Sequence, residues 1–317
     1  MNNTKIEWAD EVWNPVTGCT KVSEGCRNCY AERMAKRLAG RYGYPKEQPF
    51  AVTPHPDRLE LPMKWKKPRR IFVNSMGDLF HEDMMTRKTK TVLPSEFGFG
   101  QHAISLRGFY VVIMDIVEQC PQHTFLFLTK RPEIMSEALL DPPAQTTPLH
   151  YGGGNVPLPN VWLGVSVEDQ ETADRRIPEL LRTPAARRFV SLEPMLGPVD
   201  LAKYLPHCDD PTCEGECGES GRRFLDWVIL GGESGPGARP MHPDWVRSVR
   251  DQCAAAGVPF FFKGWGEWAE DYQHGHAASG VRCVRFPDGT LVERIGKKYT
   301  GRKLDGREHL EFPEAGR

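Results

Sequence analysis

Short continuous apolar runs rich in Val, Ile and Phe recur along the chain at 70–75, 124–129, 161–167, 188–191, 227–230 and 259–263, each running into a Gly, Ser, Asp, Glu or Lys. Polar and apolar positions do not alternate within them, which is the pattern of strands buried on both faces of a parallel sheet. Segment 13–18 supplies a first strand. Between the runs the periodicity predicts helices over 28–38, with Asn28 as its cap, and over 108–120, 132–140, 169–181 and 243–256, with Gly257 as a stop. Strand and helix alternating about six times read as an α/β fold with a parallel sheet.

A partial or complete parallel (β/α) barrel fits this pattern better than an open doubly wound sheet. Asp78, Lys130 and Arg131, Glu168, Glu193, Glu233 and Lys263 each stand just past or at the end of a successive strand. A barrel gathers its functional groups at that rim, whereas an open sheet concentrates them at one switch point. Two inserts, 141–160 and 207–223, interrupt the repeat of a main domain over 1–265. From 266 to 317 the pattern changes to a β-hairpin (281–286, a turn at Pro287-Asp288-Gly289, then 290–295) and a short basic tail.

Composition narrows the function classes. The 317 residues are 39% hydrophobic with a formal net charge of -1, which argues against disorder and against binding nucleic acid by bulk charge alone. No apolar run reaches the roughly 18 residues of a membrane span, and the polar first ten residues lack a signal-peptide layout, so a cytoplasmic location is expected. There are nine cysteines, an odd number and a poor fit to disulfides in a reducing compartment. Cys120, Cys253 and Cys283 stand alone and read as small buried residues. The other six form two tight groups.

Cys19, Cys26 and Cys29 follow the first strand and directly precede a helix. Three thiolates can hold three irons of a [4Fe–4S] cluster and leave the fourth iron open to a small chelating molecule. Zinc is the competing occupant, with His55 or His81 closing the tetrahedron, and inert thiols are the third reading. The position at the strand-to-helix rim favours the cluster over a structural zinc.

The residues here resemble a known superfamily. Trp13-Asn14-Pro15, Gly18-Cys19, Gly25-Cys26 and Asn28-Cys29-Tyr30 carry the likeness, with Phe72-Val73, 78–80, 128–132, 191–194, 231–240, 260–268 and 297–307 completing it. Together they resemble the radical S-adenosylmethionine superfamily and, more narrowly, a phage- and prophage-borne family with a three-cysteine motif. The first gap of six residues is longer than the three of the common superfamily spacing, and Asn28 stands where an aromatic residue is usual. The resemblance implies a [4Fe–4S] cluster on Cys19, Cys26 and Cys29, with S-adenosylmethionine on its open iron and cleaved to a 5′-deoxyadenosyl radical. It places the methionyl amine near Asn74, Ser75, Gly77 and Asp78. It also places ribose hydroxyls at Ser166 and Glu168, and cofactor or substrate at Glu193, Gly232 and Glu233. A reductant such as flavodoxin or ferredoxin follows as a partner.

Other groups stay open. Each rim acid could instead be a solvated or helix-capping residue. Lys130, Arg131 and Lys263 suit an anionic group of a substrate, or equally a pairing with the neighbouring glutamates. The basic stretches 64–70 and 297–307, interleaved with Trp65 and Tyr299, suit a nucleotide or single-stranded nucleic acid, or are solvated faces. His207, Cys208, Cys213 and Cys217 read as a second metal site, zinc or an auxiliary cluster, or as an oxidisable loop. The function expected is a radical enzyme on an unassigned substrate, with a zinc- or cluster-stabilised nucleic-acid-binding phage protein as the alternative.

Overall fold

The computed structural model describes residues 4, 6–86, 90–93, 103–140, 158–206, 223–270 and 282–313. Insert residues 141–157, and the second cysteine group with His207, lie outside them. Seven parallel strands carry the fold: β1 (Glu11–Trp13), β2 (Arg70–Val73), β3 (Thr124–Thr129), β4 (Val161–Val167), β5 (Arg187–Leu192), β6 (Trp227–Gly231) and β7 (Phe260–Gly264). Their order in the sheet is their order in the chain. That single winding is the topology of a (β/α) barrel, since a doubly wound sheet reverses direction at a switch point. The main helices are α1 (Tyr30–Leu38), α2 (Leu106–Gln119), α3 (Pro132–Leu140), α4 (Gln170–Arg182) and α5 (Pro243–Ala255). None of the described helices is long and apolar enough to cross a membrane.

The chain divides into two compact units, 1–165 with 182–187 and 166–181 with 188–317. In the first, β1 pairs with β2 from Glu11↔Ile71 to Trp13↔Val73, β2 with β3, and β3 with β4 through Thr129↔Val165. In the second, β6 lies between β5 and β7. Every residue of β4 and of β6 is buried, which is why their sequences are continuously apolar.

The first strand differs from its predicted place. It ends at Trp13, because Pro15 has no N–H for a ladder, and Val16–Thr17 turn away to pair antiparallel with Thr53–Pro54. Helix α1 starts later than expected, at Tyr30, with Cys29 as its N-cap in place of Asn28. The C-terminal hairpin forms as β9 (Cys283–Arg285) against β10 (Leu291–Arg294), and β8 (Trp268–Glu270) adds on the far side of β10. Trp268, Val292 and Ala238 form a small core beneath it. Cys120 and Cys253 are buried as expected, whereas Cys283 is exposed on that hairpin.

In the second unit Trp227 of β6 is fully buried, with ring centroids of Phe189, Phe261 and Phe312 at 5.9, 6.1 and 5.2 Å. Its Nε1 donates to the carbonyl of Glu311 at 2.9 Å, so it ties the end of the chain to the sheet. Trp227→Ala is expected to cost about 3–5 kcal/mol, read as a lowered urea midpoint.

Candidate functional site

The cysteine loop leaves the end of β1 and is fixed by close backbone contact. Gly18 has φ of 91°, and a Cβ there would stand 2.1 Å from the carbonyl oxygen of Ala51. A Cβ on Gly77 would stand 2.7 Å from the oxygen of Gly18. Only glycine tolerates either approach. The amide of Gly18 donates to Met76 O at 2.9 Å and that of Cys19 to Phe50 O at 3.1 Å. Asn14 holds the turn after β2, its Oδ1 accepting from the Met76 amide at 3.0 Å and from the Ser75 hydroxyl at 3.3 Å. Within that turn Asn74 is buried and left-handed, with φ of 59°. Its Nδ2 is buried without an acceptor among the described residues, a donor that a bound group can use.

The loop is then locked by one buried arginine. Arg131, 4% exposed, sits just past β3. It donates from Nη1 to the Cys19 sulfur at 3.3 Å and to Asp78 Oδ2 at 3.4 Å. Nη2 reaches Thr20 O at 3.1 Å and Thr20 Oγ1 at 2.7 Å, and Nε reaches both oxygens of Glu82 at 3.2 Å. Asp78 is equally engaged. It accepts from the Thr129 hydroxyl at 2.8 and 2.9 Å, from the Lys130 amide at 3.2 Å and from the Phe80 amide at 3.0 Å. Burial, with the Asp78 carboxylate beside it, pushes the Cys19 thiol up to about 12, opposed by Arg131. A positive ion at that sulfur reverses the balance, because it favours the thiolate directly.

Cys29 caps α1, its sulfur accepting from the Glu32 amide at 3.5 Å. The first-turn amides and the helix dipole thus face that sulfur. Cys26 lies 3.9 Å from the hydroxyl of Ser23. Among the described residues, three metal-ligating atoms within 4.8 Å of one another occur at His242, Asp244 and Asp288 and not at the three cysteines. Neither of the two histidines offers its Nε2 to the sulfurs. His55 Nε2 pairs with the Thr17 hydroxyl at 2.8 Å and His81 Nε2 with that of Thr20 at 2.9 Å. His81 Nδ1 accepts from the Asp83 amide, so its Nε2 carries the proton.

In the second unit every predicted acid has a basic partner. Glu168 meets Arg176 at 2.8 Å, and Arg176 Nη1 also donates to the carbonyl of Ser166 at 2.6 Å. Glu193 is ion-paired with Lys263. Glu233 receives Arg239 through both oxygens, at 2.8 and 2.9 Å. Gly232 has a backbone role, since a Cβ would stand 2.0 Å from the carbonyl of Trp265. Of the two readings open for Arg131 and Lys263, an anionic substrate group or carboxylate partners, the second is what the structure shows, Arg131 with Asp78 and Glu82 and Lys263 with Glu193. Sequence reasoning missed Arg176, Arg239 and Thr129. Arg176 had a visible signal, because it falls on the buried stripe of α4 with Thr172, Ala173, Ile177 and Leu180.

Burial and the nearby Arg58 charge lower His55 from 6.5 to about 4. The fold therefore keeps it neutral where the unfolded chain takes up a proton. Its contribution is complete above about pH 6.5 and is lost as the pH falls towards 4, by at most about 1.4 kcal/mol per pH unit. In urea titrations across this window His55→Gln is expected to flatten the acid limb; an unchanged slope counts against a neutral His55.

A family model described as "Protein of unknown function (DUF5131)" matches residues 3–313. No curated protein matches the chain. Among solved structures, a spore photoproduct lyase mutant aligns over 93% of this chain and 71% of its own at 10% identity, with a TM-score of 0.37. Spore photoproduct lyase complexed with dinucleoside spore photoproduct aligns over 89% and 67% at 9% identity, also with a TM-score of 0.37.

Proposed function

The chain belongs to the DUF5131 family of proteins of unknown function, and we propose that it is an iron–sulfur enzyme of the radical S-adenosylmethionine type. Cys19, Cys26 and Cys29 would hold a [4Fe–4S] cluster, with S-adenosylmethionine bound beside it. The observation that carries this reading is the sulfur set itself: three thiols in one loop at the end of a parallel strand, with the Nε2 of both His55 and His81 engaged by threonine hydroxyls instead. Donors already stand at two of the sulfurs, Arg131 at Cys19 and the Glu32 amide at Cys29. Hydrogen bonds of that kind tune and stabilise thiolate-bound clusters.

When bound, the cluster and S-adenosylmethionine supply one-electron cleavage and hydrogen-abstraction chemistry. The chain's own residues orient and enclose. Asn74, with its buried unpartnered amide, is the group of the 74–78 turn suited to a polar group of the cofactor, while Ser75, Gly77 and Asp78 shape that turn. Ser166, Glu168, Glu193, Gly232 and Glu233 remain proposed cofactor and substrate contacts. Lys130, Arg131 and Lys263 remain proposed for an anionic group, which at Arg131 and Lys263 would share cations now paired with carboxylates. A one-electron donor such as flavodoxin or ferredoxin is the proposed partner, and a nucleoside or nucleic acid the proposed substrate class.

Protein purified without oxygen is expected to contain about four iron and four sulfide per chain, and with dithionite to form 5′-deoxyadenosine and methionine. Cys19→Ser, Cys26→Ser and Cys29→Ser should each abolish both signals. A colourless protein with one zinc per chain and intact S-adenosylmethionine refutes the proposal and supports a zinc-stabilised binding module.

A further inference from the structure

Helix α1 starts directly after Cys29 and has two unlike faces. Ala31 and Ala35 are buried, while Tyr30, Arg33 and Arg37 follow at i, i+3 and i+7 on the side turned outward. Two helical turns carry that side about 10 Å from the cysteine loop, and the 39–43 turn extends it with Arg41 and Tyr42. Between Glu24 and Glu47 the sequence has six basic residues and one acid, Glu32, in a chain of formal net charge -1. Glu32 is itself taken by Lys21 and Lys36. Among the described residues, no carboxylate pairs with Arg37 or Arg41.

Two aromatic rings stand in this basic strip without serving the core. Tyr30 is 63% exposed and Tyr42 75%. Tyr42 is also left-handed, with φ of 52°, a conformation a bulky residue rarely adopts. Its backbone is held there: Arg58 donates from Nη2 to Tyr42 O at 2.7 Å and from Nη1 to Asn14 O at 3.2 Å, and Trp13 Nε1 donates to Arg58 O at 2.8 Å. The backbone that presents the ring is thereby tied to the end of β1, where the cysteine loop begins. Exposed aromatic faces interleaved with arginines that meet no carboxylate at Arg37 and Arg41 suit single-stranded nucleic acid: unstacked bases for the rings and phosphates for the guanidiniums.

We propose that the outward face of α1 and the 39–43 turn form a docking surface for single-stranded nucleic acid, leading it to the cysteine loop. The proposal deepens the reading above by narrowing the substrate to single-stranded nucleic acid and naming the surface that receives it, and rests on that reading for the loop being the reaction centre. Binding is measured independently of the cluster.

The test is fluorescence anisotropy of the full chain with a 5′-fluorescein single-stranded 12-mer of mixed sequence, across a salt series. The Arg37→Gln/Arg41→Gln double variant is expected to lower the magnitude of the log Kd against log salt slope by about 1.4, at about 0.7 per lost phosphate contact. Tyr42→Ala is expected to weaken binding by about 5- to 150-fold, the range for loss of one base–aromatic stack. Thermal unfolding confirms that both variants remain folded. Three results overturn the proposal. The wild type fails to bind at 50 mM salt; binding survives these changes but is lost in Lys297→Gln/Lys298→Gln/Tyr299→Ala, in the other unit; or the variants bind the oligonucleotide normally and lose only reduction by flavodoxin. Binding that persists in a zinc-loaded protein upholds the surface while removing the radical reading.

Discussion

A carboxylate buried at the end of a strand cannot remain ionised alone, because the desolvation of its charge costs several kcal/mol. Three buried acids of this protein stand past strand ends and a fourth, Glu193, is half-buried there, and each is met by a cation: Asp78 by Arg131, Glu168 by Arg176, Glu193 by Lys263 and Glu233 by Arg239. The partners come from elsewhere in the chain, from 6 to 70 positions away. These pairs join the chain just past one strand to a helix, loop or strand beyond it. In the first unit, Asp78 further binds the Thr129 hydroxyl and the Lys130 amide, so the ends of β2 and β3 are joined by one carboxylate.

The cysteine loop depends on that pairing. Arg131 is held by Asp78 and Glu82 and from there reaches both Thr20 and the sulfur of Cys19. The same guanidinium therefore neutralises a structural acid and sets the first thiol of the motif. Beneath it, the approach of Gly18 to the 50–51 and 76–77 backbones leaves the loop little room to shift. A loop so constrained holds Cys19 and Cys29 each beside a donor, the Arg131 guanidinium and the Glu32 amide. Tyr42, tied through Arg58 to the strand end that precedes this loop, extends the same rigid frame outward.

Much of this was legible in the residues. Continuous apolar runs identified the parallel strands, since a strand covered on both faces has no polar side to show. The Pro287-Asp288-Gly289 turn marked the hairpin, and two cysteines three apart ahead of a helix marked the loop. Legibility failed where a residue's role depends on a distant partner. Glu168, Glu193 and Glu233 read as ligand contacts or as solvated or capping residues, and local sequence cannot show which arginine or lysine arrives from another element. The displaced first strand was misjudged for a local reason, the missing amide of Pro15, and Cys29 was passed over as a cap because thiols seldom serve as one.

The sequence by itself determined the alternation of buried strands with helices and the position of the thiols, since both follow from periodicity and spacing along a continuous chain. Tertiary structure alone decided which charges meet, which hydroxyls engage the two histidines, and which tyrosines are left in solvent. Those outcomes depend on desolvation and on distances between segments far apart in the chain, and no local pattern encodes them.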